Sequence, residues 1–164
     1  MKSNNIIAVA IPLLLFVIQS CKNTEESAIS NADFIVFEYH DASVPPDDHR
    51  SYTISVTPTK LYYVVDSYGD VIKKDSLDIG KEKWEQCKIA FESAGIKNVV
   101  EKENNEGCTG GTGNSISVYQ GTTTLFKGYQ YRCSNFNEGD LEGDLNQFLK
   151  AIKEGIDYTF FSTN

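Results

Sequence analysis

The chain has 164 residues, with 23 Asp and Glu against 15 Lys and Arg and a net charge of −8. That balance disfavours nucleic-acid binding, and attachment of the folded domain to an anionic membrane surface, because phosphate contacts need clustered cations and the sequence has no such cluster. Acidity by itself speaks to solubility more than to the choice of partner.

Lys2 is followed by an apolar run of 13 residues, Ile6 to Ile18, interrupted by Pro12, and Ser20 then precedes Cys21. A positive start, an apolar middle and a small residue are the three parts of an export signal. A spanning helix needs about 20 apolar residues, more than this run supplies. The stretch Ile18-Gln19-Ser20-Cys21 resembles the lipobox of bacterial lipoproteins. The resemblance implies that a diacylglyceryl group joins the Cys21 sulfur, that residues 1–20 are removed, and that the new amine is acylated with a palmitate-type chain. The partner of Cys21 is then a lipid bilayer, and the address is the cell envelope, on the periplasmic face of an outer membrane or on the cell surface. An ordinary secretory signal with Cys21 as a spare thiol is the other reading. Loss of Lys2 leaves 14 Lys and Arg against 23 Asp and Glu, a net charge of −9.

Residues 21–32 are polar and lack aromatics, the composition of a flexible tether. A Lys followed by acidic residues after the lipidated Cys resembles the tag that some Gram-negative lineages use to carry lipoproteins to the surface. Residues 33–164 have the length of one globular domain.

Along that domain, Phe34 to Tyr39, Ser51 to Val56 and Lys60 to Asp66 read as strands, with a short fourth at Val71 to Lys74 after the turn at Tyr68-Gly69-Asp70. Lys81 to Ala94 reads as a helix closed by Gly95, with Trp84, Cys87, Phe91 and Ala94 at helical spacing. Lys97 to Glu101, Asn114 to Tyr119 and Thr124 to Arg132 are further strands, followed by a helix from about Leu141 to Glu154 and then Gly155. In that helix Leu141, Leu145, Phe148, Leu149 and Ile152 form one apolar stripe.

The order of strands and helix thus recurs, with residues 33–95 and 96–156 as candidate repeats, supported by Ile54-Ser55-Val56 against Ile116-Ser117-Val118. Strands grouped apart from helices predict an α+β fold. It has two layers: a mainly antiparallel sheet, with both helices on one face, as a tandem βββα-type duplication. The other sheet face is left to solvent and to contact.

Three cysteines remain after Cys21, and an oxidising compartment allows one disulfide. In a hairpin centred on Gln120-Gly121, Cys108 falls opposite Cys133, so these two are the expected pair, while Cys87 sits on the buried face of its helix. The loop His40 to Arg50 holds both histidines of the chain, and His40, Asp47 and His49 are its candidate metal ligands. Two prolines make a stiff polar turn the simpler account of it. The segment Glu106 to Asn114 is glycine-rich but leads into a strand and lacks a P-loop lysine, so it is no phosphate cradle and no cofactor is expected. Gly107, Thr109, Gly110 and Gly111, together with Tyr129 and Tyr131, are the candidate contact surface. No nucleophile adjoins either histidine in a catalytic motif, which argues against an enzyme.

The sequence reading is a membrane-anchored envelope or surface lipoprotein whose domain binds a protein or ligand, its partner unknown. Its architecture resembles secreted inhibitors and other envelope binding modules, and no specific family emerges. A metal-dependent hydrolase using the His40 to His49 loop, and a structural envelope component, are the alternatives.

Overall fold

The computed structural model describes residues 27–102, 110–133 and 136–156. Cys21, Gly107, Cys108, Thr109 and the aromatic stretch from Tyr158 to Phe161 lie outside them. The described elements, in chain order, are β1 (Phe34–His40), β2 (Ser51–Val56), β3 (Lys60–Ser67), β4 (Asp70–Asp78), α1 (Lys81–Ser93), β5 (Lys97–Lys102), β6 (Thr112–Gln120), β7 (Thr123–Cys133), β8 (Phe136–Glu142) and α2 (Leu145–Lys153). The eight strands form one antiparallel sheet in the order β4-β3-β2-β1-β6-β7-β8-β5, and with two helices the fold is α+β.

Alternation along the strands decides which face is covered. In β3, Leu61, Tyr63, Val65 and Ser67 are buried while Lys60, Tyr62, Val64 and Asp66 are not. Register carries the same face across the sheet: Ile35 pairs with Val56 and Val118, and Phe37 with Ile54 and Ile116, all fully buried. Both helices pack on this face. Phe91 of α1 meets Phe126 of β7 and Phe148 of α2 edge-on, at centroid distances of 5.3 and 5.7 Å. At its far end α2 lays Lys153 over Tyr52 of β2. Trp84, Cys87, Phe91 and Ala94, the positions at helical spacing, are all buried. Each fully buried Phe, Leu or Ile here contributes about 1.5–3 kcal/mol by leaving water.

Helix α1 ends in a wrapped turn in which the Ile96 N–H donates to the Phe91 carbonyl at 3.3 Å. Helix α2 begins later than its apolar stripe suggests. Leu141 belongs to β8, and Asp144 caps α2 by accepting from the Gln147 N–H at 3.0 Å. Gly143 sets the break. Its φ is +138°, and an added Cβ would lie 2.8 Å from Ile96 Cδ1 and 3.0 Å from the Ala94 carbonyl oxygen, so the chain must leave β8 there.

Two further expectations change. Val71 to Lys74 is the start of a nine-residue edge strand, β4, whose Lys73, Lys74 and Asp75 suit an edge that must discourage pairing. The turn between β6 and β7 is Gly121-Thr122, with Gln120 paired to Thr123 and a bulge after Val118. Beyond the bulge Gly113 pairs with Tyr131 and Thr112 with Arg132. Continued by one residue, this register places position 111, not 108, opposite Cys133. The two halves share an element order of four strands and a helix, but not a pairing pattern. β1 neighbours β2, whereas β5 lies on the far edge beside β8.

Candidate functional site

The connection from β1 to β2, residues 41–50, is folded onto the end of the sheet by its own polar groups. Asp41 is its organiser. Oδ1 accepts from the Tyr39 hydroxyl at 3.1 Å and from the Ala42 N–H at 2.8 Å, and Oδ2 accepts from the Arg50 N–H at 2.8 Å. The Asp41 N–H donates to Ser51 Oγ at 3.0 Å, so both ends of the loop close on one carboxylate and one hydroxyl. Burial, reinforced by the charge of Asp41 and the hydrogen bond to it, pushes the Tyr39 hydroxyl up to about 12.

His49 is buried within this loop, 5 % exposed. The Tyr68 N–H donates to its Nδ1 at 3.3 Å, so in the neutral ring Nε2 carries the hydrogen and gives it to Ser51 Oγ, also at 3.3 Å. The imidazole stacks on the Tyr68 ring at 3.9 Å between centroids. Tyr68 is fixed at its other end as well, its hydroxyl donating to the Val44 carbonyl at 2.6 Å. It is 56 % exposed and holds a φ of +51°, a left-handed backbone rarely adopted by an aromatic residue. Strain of this kind collects at functional positions.

Between the loop and the sheet lies a cleft of about 330 Å³, lined by His40, Ser51, Thr53, Asp66 and Tyr68 together with His49, Asp41 and the two tyrosines of the adjoining strands. Asp66 faces Ser51 across β2 and β3, and its Oδ1 accepts from the Gly69 N–H at 2.8 Å. His40, Asp47 and His49 do not gather into a metal-ligand set, and both ring nitrogens of His49 are already engaged.

The cleft lies at the end of the sheet, lined by His40, Ser51, Thr53 and Asp66 at positions of the face away from the helices and by Tyr39 and Tyr52 at positions of the covered face. Thr53, Glu38, Ser115 and Tyr129 form one cross-strand row on the face away from the helices, and Ser55, Val36, Ser117 and Lys127 a second. Ser115 Oγ donates to Glu38 Oε2 at 2.6 Å. Tyr62 and Tyr129 are 45 % and 42 % exposed. Gly113 lies between the cleft and Tyr129. A Cβ there would be in ordinary contact with both neighbours, 3.5 Å from His40 Cβ and 3.7 Å from Tyr129 Cε2, so the two side chains flank the glycine closely.

Of the glycine-rich segment, Gly110 and Gly111 are described. The Gly111 N–H donates to the Tyr131 hydroxyl at 3.0 Å, and a Cβ on Gly111 would meet the Arg132 carbonyl oxygen at 2.5 Å, so only glycine lets this chain lie so close to β7. Tyr131 therefore supports the segment, whereas Tyr129 presents its ring to solvent.

On the helix-covered face Lys153 Nζ donates to the Tyr52 hydroxyl at 2.8 Å and lies 4.0 Å from the ring centroid. Burial pulls the Lys153 ammonium down to about 8. It also pushes the Tyr52 hydroxyl up, with Tyr39 and Asp41 adding to the effect. Burial raises the Cys87 thiol to about 11, against the pull of Lys83, which leaves little thiolate for chemistry.

In the sequence Asp41 is one residue of the polar His40 to Arg50 loop and Tyr68 part of a turn, and nothing there marks the tie between them and His49. An Asp placed directly after a strand and before a small residue is a signal for a side chain that accepts from local backbone N–H groups. Tyr68 carried no such signal, since its partners lie 19 and 24 residues away. No family model, no curated protein and no solved structure matches this chain.

Proposed function

We propose that this protein is a lipid-anchored binding module of the bacterial envelope or cell surface that recognises a protein or ligand through its open sheet face. One observation carries the reading: both helices pack on the same face, and the opposite face carries the exposed Tyr62 and Tyr129, with a preformed polar cleft at the end of the sheet. A recognition surface of rigid aromatics among hydroxyls is suited to contact because tyrosine combines apolar area, a polar tip and few rotors. The lipobox-like stretch at Cys21 supplies the anchor; the expected tether of residues 21–32 is shortened, because Ile29 and Ala32 are buried in the core of the domain, and the residues between Cys21 and Ser27 supply the reach.

The Cys108–Cys133 disulfide belongs to the same proposal. Cys133 is a bonded sulfur at the end of β7, and Cys87 is the free thiol among the described residues. The recurrence of four strands and a helix favours an origin by duplication, in which β5 has moved to the outer edge.

The test is photo-cross-linking in intact cells from residues replaced one at a time: Tyr62 and Tyr129 on the open face, and Ile89, 63 % exposed on α1. Saturable adducts from Tyr62 and Tyr129, and none from Ile89, are expected. Adducts from Ile89 alone, or from no position, would overturn the reading.

A further inference from the structure

We infer that the cleft beneath the loop of residues 41–50 binds a neutral saccharide, with Tyr68 as the stacking platform. The inference rests on the open face being the recognition surface and names the ligand class for its cleft end.

Three features of the walls select this chemistry. First, the platform is held before any ligand arrives. Tyr68 stacks on buried His49, donates its hydroxyl to the Val44 carbonyl and donates its backbone N–H to His49 Nδ1, yet it is more than half exposed. An exposed aromatic fixed by three contacts loses little freedom when a ring settles on it, which is how preorganisation raises affinity. The apolar C–H face of a pyranose is such a ring. Second, the remaining groups mix donors and acceptors at hydroxyl scale: the Thr53 hydroxyl, the His40 imidazole and the Asp66 carboxylate. Sugar hydroxyls both donate and accept, and need such a mixture. Third, charge excludes the other candidates. The lining residues include no Lys and no Arg; the nearby Arg50 is turned to the His49 carbonyl and Lys153 to the Tyr52 hydroxyl from the helix-covered face, so phosphates and acidic glycans are disfavoured. Asp41 already accepts from three donors and acts as a scaffold, not as a vacant charge for a basic ligand. The cleft volume of about 330 Å³ suits one or two sugar rings.

The test is isothermal titration of the purified full-length domain with neutral hexasaccharides of glucose, mannose, xylose and galactose, with two variants in parallel. Thr53→Val keeps shape and strand preference while removing the hydroxyl, and Tyr68→Asn keeps a residue that tolerates a left-handed backbone while removing the ring. At least one hexasaccharide should bind saturably. Its affinity should fall by about tenfold or more in each variant, with unchanged melting of Thr53→Val, and should not vary between about 50 and 500 mM NaCl. The inference fails if no hexasaccharide binds, if both variants bind as the parent does, or if binding weakens steeply with salt, the mark of a charged ligand. Failure here with cross-links still forming at Tyr129 would remove the saccharide and leave the open face as a partner surface. Saccharide binding without any cross-link would remove the wider surface and leave the cleft.

Discussion

Replacement of His49 by Ala should release the loop of residues 41–50, and the size of the effect follows from the contacts the ring makes. The imidazole stacks on Tyr68 at 3.9 Å and holds hydrogen bonds with the Tyr68 N–H and Ser51 Oγ at 3.3 Å. The stack contributes about 0.5–1.5 kcal/mol and each of the two hydrogen bonds about 0.5–1.5 kcal/mol, so His49→Ala should cost about 1.5–4.5 kcal/mol. His49→Phe restores the stack without the ring nitrogens and should recover roughly a third of that loss. Urea unfolding of the full-length domain measures the total. Hydrogen exchange at the Tyr68 and Arg50 amides localises it. The first amide is held by His49 and the second by Asp41, and both should exchange at least about thirtyfold faster in His49→Ala if 2 kcal/mol is lost from the loop. A change below about 0.5 kcal/mol with unaltered exchange would refute the reasoning. So would a Phe variant no better than Ala, since the stack would then contribute nothing.

Lys153 predicts a dependence of stability on alkaline pH. Its folded value of about 8 lies below its ordinary 10.5, so the folded protein binds fewer protons between these values, and stability should rise as pH goes from about 8 towards 10. Above about 10 the raised hydroxyls of Tyr39 and Tyr52 reverse the sign, because there the folded protein holds the extra protons. Thermal melting of Lys153→Met should show no rise and keep the fall; a rise that persists in the variant would show that another group causes it. Non-reducing intact mass of the exported protein should show two hydrogens missing and one alkylatable thiol after unfolding, Cys87. Three alkylatable thiols would remove the proposed Cys108–Cys133 bridge.

The layer arrangement was legible because it depends on period. Strands that alternate, and a helix with Trp84, Cys87, Phe91 and Ala94 on one stripe, have one low-energy arrangement, with the stripes facing each other. What was not legible depends on distant contacts. The stripe from Leu141 to Ile152 satisfies a helical pattern throughout, yet Leu141 is 2 % exposed as a strand residue because Gly143 has to pass against Ile96 and the Ala94 carbonyl. That neighbour comes from the other end of α1, nearly 50 residues earlier in the chain. The hairpin register failed for a local reason, since Gln120-Gly121 and Gly121-Thr122 are both acceptable turns, and a bulge after Val118 added a residue that no pattern marks.

The site shows the same division more sharply. Its ingredients stood in the sequence as two histidines in a loop with two prolines and a tyrosine in a turn, and a stiff polar turn was the simpler account of the loop. For His49 that simpler account is also part of the functional one. The ring is a satisfied, buried histidine, and by being satisfied it fixes Tyr68, whose exposed face would otherwise be one mobile aromatic among many. A metal site would have spent both histidines on an ion; here one is spent on holding a tyrosine and the other, His40, remains at the cleft wall. The left-handed backbone of Tyr68 belongs to the two-residue hairpin turn between Ser67 and Asp70, which takes positive φ at both Tyr68 and Gly69, so the turn itself sets the place from which the ring reaches His49 and Val44.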